Sequence, residues 1–269
     1  MREPAAASER APAPQARRRS PPQPAAEAER ILALQRAAGN RAVARTLATL
    51  ARTPTQVTNA NREERRAGLG AIAWTSAYEV DFVGTECRLN INAKIIREAG
   101  VTEAEENSVK SVTRAEFLRI WDNKFRLTES GAATAVYTLR VNVTYVTSGE
   151  HVAINLHPGT GHDNRRKWFV NSNATDRAHE LGHQLGLLDE YVDPDVPNRA
   201  TATSPGVHSD HSIMGNYYTE GRAAAEAKLR HGQRIAAHIC AATGRTFTAS
   251  MAATPAPAAP PPAAPAPAR

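Results

Sequence analysis

His179-Glu180-Leu181-Gly182-His183-Gln184-Leu185-Gly186-Leu187-Leu188-Asp189 is the stretch on which the reading of this chain turns. On a helix, residues four apart are neighbours, with Cβ atoms roughly 5–6 Å apart, so His179 and His183 share one face. Ala178, Leu181, Leu185 and Leu188 recur at helical spacing on the opposite side. One face therefore suits a core, and the other offers two imidazoles to a single metal ion. Zinc takes imidazole nitrogen and carboxylate oxygen at about 2.0–2.2 Å, and a catalytic site keeps one position for water. Glu180, adjacent to the first histidine, projects near that position without being a ligand, which is the placement of a general base. Gly182 costs about 1 kcal/mol relative to alanine in a helix interior, so something nearby is expected to need the room. Gly186 lets the chain leave the helix through a left-handed conformation. Asp189 follows three residues later as third ligand, with the adjacent Glu190 as its rival.

The string HELGHQLGLLD resembles the zinc signature of the metzincin peptidases, HExxHxxGxx followed by a ligand. Most metzincins place histidine last; aspartate there resembles the small bacterial snapalysin group. The resemblance implies a zinc-dependent endopeptidase acting on protein or peptide substrates. Its Zn2+ would be held by His179, His183 and Asp189, with Glu180 as base. It also implies an α+β fold: a twisted mixed sheet, an active-site helix, a methionine turn and a C-terminal helix. Ser212-Ile213-Met214-Gly215 stands where that turn is expected. Astacin- and serralysin-like members carry a tyrosine two residues after the methionine. Here that position is Asn216, with Tyr217 and Tyr218 one and two steps late, and neither is assigned a role. The alternative reading is a non-catalytic, zinc-stabilised binding module. A zinc hydrolase of non-peptide amides would share the same site.

Working outward, Cys87, Leu89, Ile91, Ala93 and Ile95 alternate with polar residues and predict a strand. Tyr137, Leu139, Val141, Val143 and Tyr145 predict another. Val152 to Leu156 and Trp168 to Val170 are shorter candidates, either of which could offer an edge to an extended substrate. Thr113 with Glu116 reads as the capping box of a helix carrying Phe117, Trp121 and Phe125. Asn173 and Asp176 suit the start of the metal helix. A loop spans 191–218, and a last helix over 220–242 turns Leu229, Ile235 and Ile239 inward and stops at Gly244. His157, His162, His208 and His211, and the acidic group Glu190, Asp193 and Asp195, read as solvated loop residues. Strands followed by helices make an α+β order.

Most of the 18 prolines among the 269 residues lie before residue 30 or after residue 250, alternating there with alanine. Such segments cannot bury enough surface to offset the entropy of ordering. The expected organisation is a Pro/Ala-rich tail at 1–29, a short helical segment at 30–52, a polar linker at 53–66, the metallopeptidase domain at 67–250 and a second tail at 251–269. The net charge is +6, with a basic run at Arg17, Arg18 and Arg19 that reads as part of a solvated tail, so no nucleic-acid partner is expected. No apolar run is long enough for a membrane span. Cys87 and Cys240 are too few for a disulfide scaffold.

The segment 34–47, LQRAAGNRAVARTL, resembles a short stretch near the N-termini of bacterial proteins associated with extracellular contractile injection systems. That resemblance implies an effector or toxin cargo, docked on the particle through 30–52. It would be made in the bacterial cytoplasm without a secretory signal and delivered outside the cell or into a target cell by the injection system. The same segment reads equally as a helix packed over the catalytic domain or as a pro-segment.

Overall fold

A computed structural model describes Glu29, residues 53–131 and residues 134–253. Contacts divide the chain into Met1–Thr53 and Pro54–Arg269, and every element below belongs to the second unit. The expected tail at 1–29 (Glu29 apart), the helical segment over 30–52 and nearly all of the tail at 251–269 lie outside the described residues. Among the described residues, no helix is long and apolar enough to cross a membrane.

The first strand, β1, is Thr55–Glu63, in a stretch whose polar composition predicts a linker. This is a correction, and the reason is physical: the two buried polar side chains on its inner face, Asn61 and Glu63, each find a partner across the fold. Asn61 Nδ2 donates to Ser76 Oγ at 3.0 Å, and Glu63 meets Arg199. A buried polar group that is hydrogen-bonded carries little penalty, so composition alone misjudges the segment. β1 pairs antiparallel with β2, Ile72–Val83, which lies upstream of the first strand expected from alternation. Gly84, with φ of +59°, turns β2 into β3, Glu86–Arg97.

β3 is the hub of the sheet. Its Cys87, Leu89, Ile91 and Ala93 are buried, as the alternation predicts. It runs antiparallel to β2 and parallel to both β5, Ala135–Tyr145, and β6, Val152–His157. Ala93 pairs with Tyr145 and with Val152, so β5 and β6 lie on opposite edges of β3. Since β2 also lies opposite β5, it must peel away after Asn90 to admit β6, and the sheet curls there. β4, Phe125–Glu129, pairs with β5 and with the last strand, β8, Phe247–Met251. β7, Lys167–Phe169, pairs with β6. The result is an α+β fold built on one curled, mixed, eight-stranded sheet.

Helix α1 spans Glu103–Trp121 and starts at Thr102, whose side chain and Glu105 form the capping box. The box expected at Thr113 and Glu116 lies inside this helix instead, where Thr113 is buried against Arg177. Asn123, with φ of +58°, ends the helical path, so Phe125 belongs to β4. Helix α2, Ala174–Gln184, is the expected metal helix, capped by Asn173. It packs on α1, where Trp121 Nε1 donates to Ala178 O. A short helix α3, Tyr217–Glu220, stops at Gly221 (φ +101°), and α4, Leu229–Thr243, ends at a left-handed Gly244. The last helix therefore begins nine residues later than the periodicity predicts, and Leu229 is exposed while Ile235 and Ile239 are buried.

Candidate metal centre

The helix α2 ends as the glycine spacing predicts. Leu185 is its last cap residue, and Gly186 follows with φ of +87°. Gly186 N–H bonds His183 O and Leu187 N–H bonds Gly182 O, the paired closure of a Schellman motif. That turn sends the chain back so that Asp189 lies beside the two histidines. Its Oδ1 is 3.2 Å from His179 Nε2 and 3.2 Å from His183 Nε2.

Both imidazoles are held by their other nitrogen. His179 Nδ1 is 2.8 Å from Ile213 O, and His183 Nδ1 is 2.8 Å from Leu187 O. A carbonyl only accepts, so each Nδ1 carries a proton and each Nε2 faces the centre, offering a lone pair there in the neutral ring. Asp189 Oδ1 is buried and lacks a hydrogen-bond partner despite two nitrogens at 3.2 Å. The three donor atoms thus converge closely enough to reach one common cation. Ligands at about 2.0–2.1 Å from a tetrahedral zinc are separated by about 3.3–3.4 Å, close to what these side chains show. The residues present fit the group.

Glu180 lies alongside and slightly further off, with Oε1 3.9 Å from His179 Nε2. It lines a cleft of about 450 Å³ together with the histidines and Asp189. Glu190, the rival to Asp189, points elsewhere: Arg230 grips both of its oxygens at 2.7 Å, and Ser212 and His231 complete the set. Met214 is fully buried, and its Sδ would lie 2.7 Å from a β-carbon placed on Gly182, with Trp121 at 3.1 Å. This is why the metal helix carries a glycine there.

Charge distribution follows the geometry. Burial disfavours a charged His179, but the Asp189 and Glu180 carboxylates outweigh it and carry its pKa up to about 9. Burial raises Glu180 against the opposing pull of the two histidines. Asp189 is driven well below the usual carboxylate range, because the histidines overcome the cost of its burial. Below pH about 9 a proton therefore occupies His179 in the metal-free protein. A cation must displace that proton, so apparent zinc affinity should rise about tenfold per pH unit from pH 7 and level off near pH 9. Competition with a chromophoric chelator at stepped pH measures this. An affinity independent of pH would contradict the arrangement.

Several supporting residues carry no signal in the sequence. Tyr191 donates its hydroxyl to Asp189 Oδ2 at 3.2 Å. Arg199, buried, reaches the same oxygen at 3.6 Å while forking onto Glu63 of β1 and contacting Asp193. Trp74 of β2 donates to His183 O at 3.1 Å. None stands at a telling spacing from the histidines. Asp193 and Asp195 are not solvated as expected, since Arg199 holds one and Arg65 and Arg66 the other. Of the four outlying histidines, His162 lines the cleft. Tyr218 and Asn216 also line it, whereas Tyr217 is buried with its ring 5.5 Å from that of His179. Cys87 and Cys240 are both free thiols.

No known protein family, curated protein or solved structure matches this chain.

Proposed function

We propose that this chain is a zinc-dependent endopeptidase of metzincin-like design, with His179, His183 and Asp189 as ligands and Glu180 as general base. The observation that carries the reading is the meeting of two Nε2 atoms and one buried Oδ1 at 3.2 Å beside a second carboxylate, Glu180. Met214 packed beneath the metal helix, after a turn whose Ile213 carbonyl holds His179, supports the same design.

Zinc bound there would polarise a peptide carbonyl and make a water acidic enough to ionise near neutral pH. Glu180 takes the proton of the attacking water as its oxygen joins the carbonyl carbon, then passes that proton to the nitrogen as the C–N bond breaks. A carboxylate with its pKa raised by burial serves both steps, since it must accept and then release within one turnover. Ile213 O and Leu187 O keep the imidazoles aimed, and Tyr191 and Arg199 restrain Asp189.

Neither expected strand supplies a free edge for substrate. β6 lies between β3 and β7. On the outer side of β7, Lys167 exchanges both backbone bonds with Asn164, and Phe169 N–H and C=O are taken by Asp163, Ser172 and Arg177. The substrate instead runs through the cleft between the 162–165 loop and Asn216–Tyr218, over the metal helix. Delivery by a contractile particle rests on the resemblance of 34–47 alone.

Metal analysis is the direct test. Wild type should purify with, or take up, one zinc per chain and cleave members of a random peptide library, and His183→Ala should do neither. Zinc uptake without any cleavage would favour the non-catalytic binding module.

A further inference from the structure

The wall of the cleft contains a cation that the proposed chemistry does not use. Arg165 is half-buried there, and its guanidinium lies over the Trp74 ring with its carbon 4.7 Å from the centroid. Among the described residues it makes no ion pair or hydrogen bond; Glu180 and Asp189 act on it only through their field. The buried arginines behind the cleft differ. Arg177 bonds Thr113, Phe169 O and Ser172 O, and Arg199 bonds Glu63. Arg165 thus keeps the N–H donors of its planar fork free of protein partners at the cleft it lines, and such a fork pairs bidentately with a carboxylate.

Its position relative to the reacting centre is set by packing. Trp74 donates to His183 O at 3.1 Å, and its ring stands edge-on to the His183 ring at 5.5 Å. Arg165 stacks on that indole, so one aromatic ring separates the fork from a metal ligand. Burial lowers the pKa of Arg165 from its usual value. That is the signature of a cation short of solvation, and an incoming anion would make up the deficit. Among the described residues, no other arginine or lysine lines the cleft, whose acidic groups are Asp163, Glu180 and Asp189, so an incoming anion has Arg165 as its cationic partner there.

We infer that Arg165 is a specificity residue that binds a carboxylate of the substrate peptide, either an acidic side chain near the scissile bond or the free C-terminus. This rests on the peptidase reading of the cleft. A charge-assisted bidentate contact in a partly desolvated site corresponds to a preference of about tenfold to a hundredfold.

Binding to Glu180→Gln protein, in which turnover is blocked, tests it without relying on activity. Three probes suffice: C-terminally amidated peptides carrying Glu at each position in turn, their Gln counterparts, and the Gln peptides with a free C-terminal carboxylate. At least one charged probe should bind tenfold or more tightly than the neutral one, and which of them does so identifies the source of the carboxylate. Adding Arg165→Gln should bring that ratio close to one, while Arg165→Lys, which keeps charge but not the fork, should retain a ratio of a few-fold. Equal binding of all three probes overturns the inference, as does a ratio that survives Arg165→Gln. Zinc content and cleavage by the wild-type protein report separately. Carboxylate discrimination in a protein that takes up no zinc and cleaves nothing would sink the peptidase reading and leave Arg165 as a binding residue.

Discussion

Glu180→Gln should bind zinc as wild type does yet hydrolyse peptides about 10²–10⁴-fold more slowly, the range that a positioned general base contributes. The substitution is nearly isosteric and removes only the capacity to accept and return a proton. The donor atoms of His179, His183 and Asp189 belong to other side chains and are untouched, and Glu180 Oε1 lies 3.9 Å from His179 Nε2 rather than at ligand separation. Zinc content by elemental analysis and kcat/KM on one cleaved peptide are the two readings. Loss of zinc in the variant would make Glu180 a ligand. Full activity would remove it from the chemistry.

Arg199→Met is expected to produce the largest loss of stability, about 3–5 kcal/mol, the usual cost of stranding one member of a buried ion pair. Arg199 and Glu63 are almost completely buried, and the guanidinium forks onto the carboxylate at 3.0 and 3.2 Å. Removing it leaves Glu63 charged in the interior and Asp189 without its guanidinium neighbour at 3.6 Å. For a domain of this size the melting temperature should fall by about 6–20 °C, and zinc affinity by about 10–100-fold, as is usual when an outer partner of a ligand is lost. Glu63→Leu combined with Arg199→Met should recover most of the stability, since an apolar pair can replace a buried ionic one, without restoring the affinity. An unchanged denaturation midpoint in the single variant would show that the pair contributes nothing.

Helix α2, with its paired histidines, was legible because helical geometry is local. Two imidazoles four residues apart share a face whatever surrounds them, and a glycine three residues on can take the positive φ that turns the chain back. The strands β3 and β5 were legible for a similar reason: each buries one face, and a period of two records that in the residue order. Even the space at Gly182 was foreseeable as a need, though not that Met214 and Trp121 fill it.

What sequence periodicity could not supply was any fact resting on a partner distant along the chain. The 53–66 stretch reads as a linker because its residues are polar. It becomes β1 because Ser76 and Arg199 satisfy Asn61 and Glu63 when the sheet brings them together. That Asp189 and not Glu190 lies beside the histidines goes with Arg230, some forty positions away, holding the Glu190 carboxylate. Arg165 gains meaning only through Trp74 on a strand that alternation did not mark. Spacing along a helix is written in residue order, whereas the pairing of buried charges is decided by which segments the fold makes neighbours.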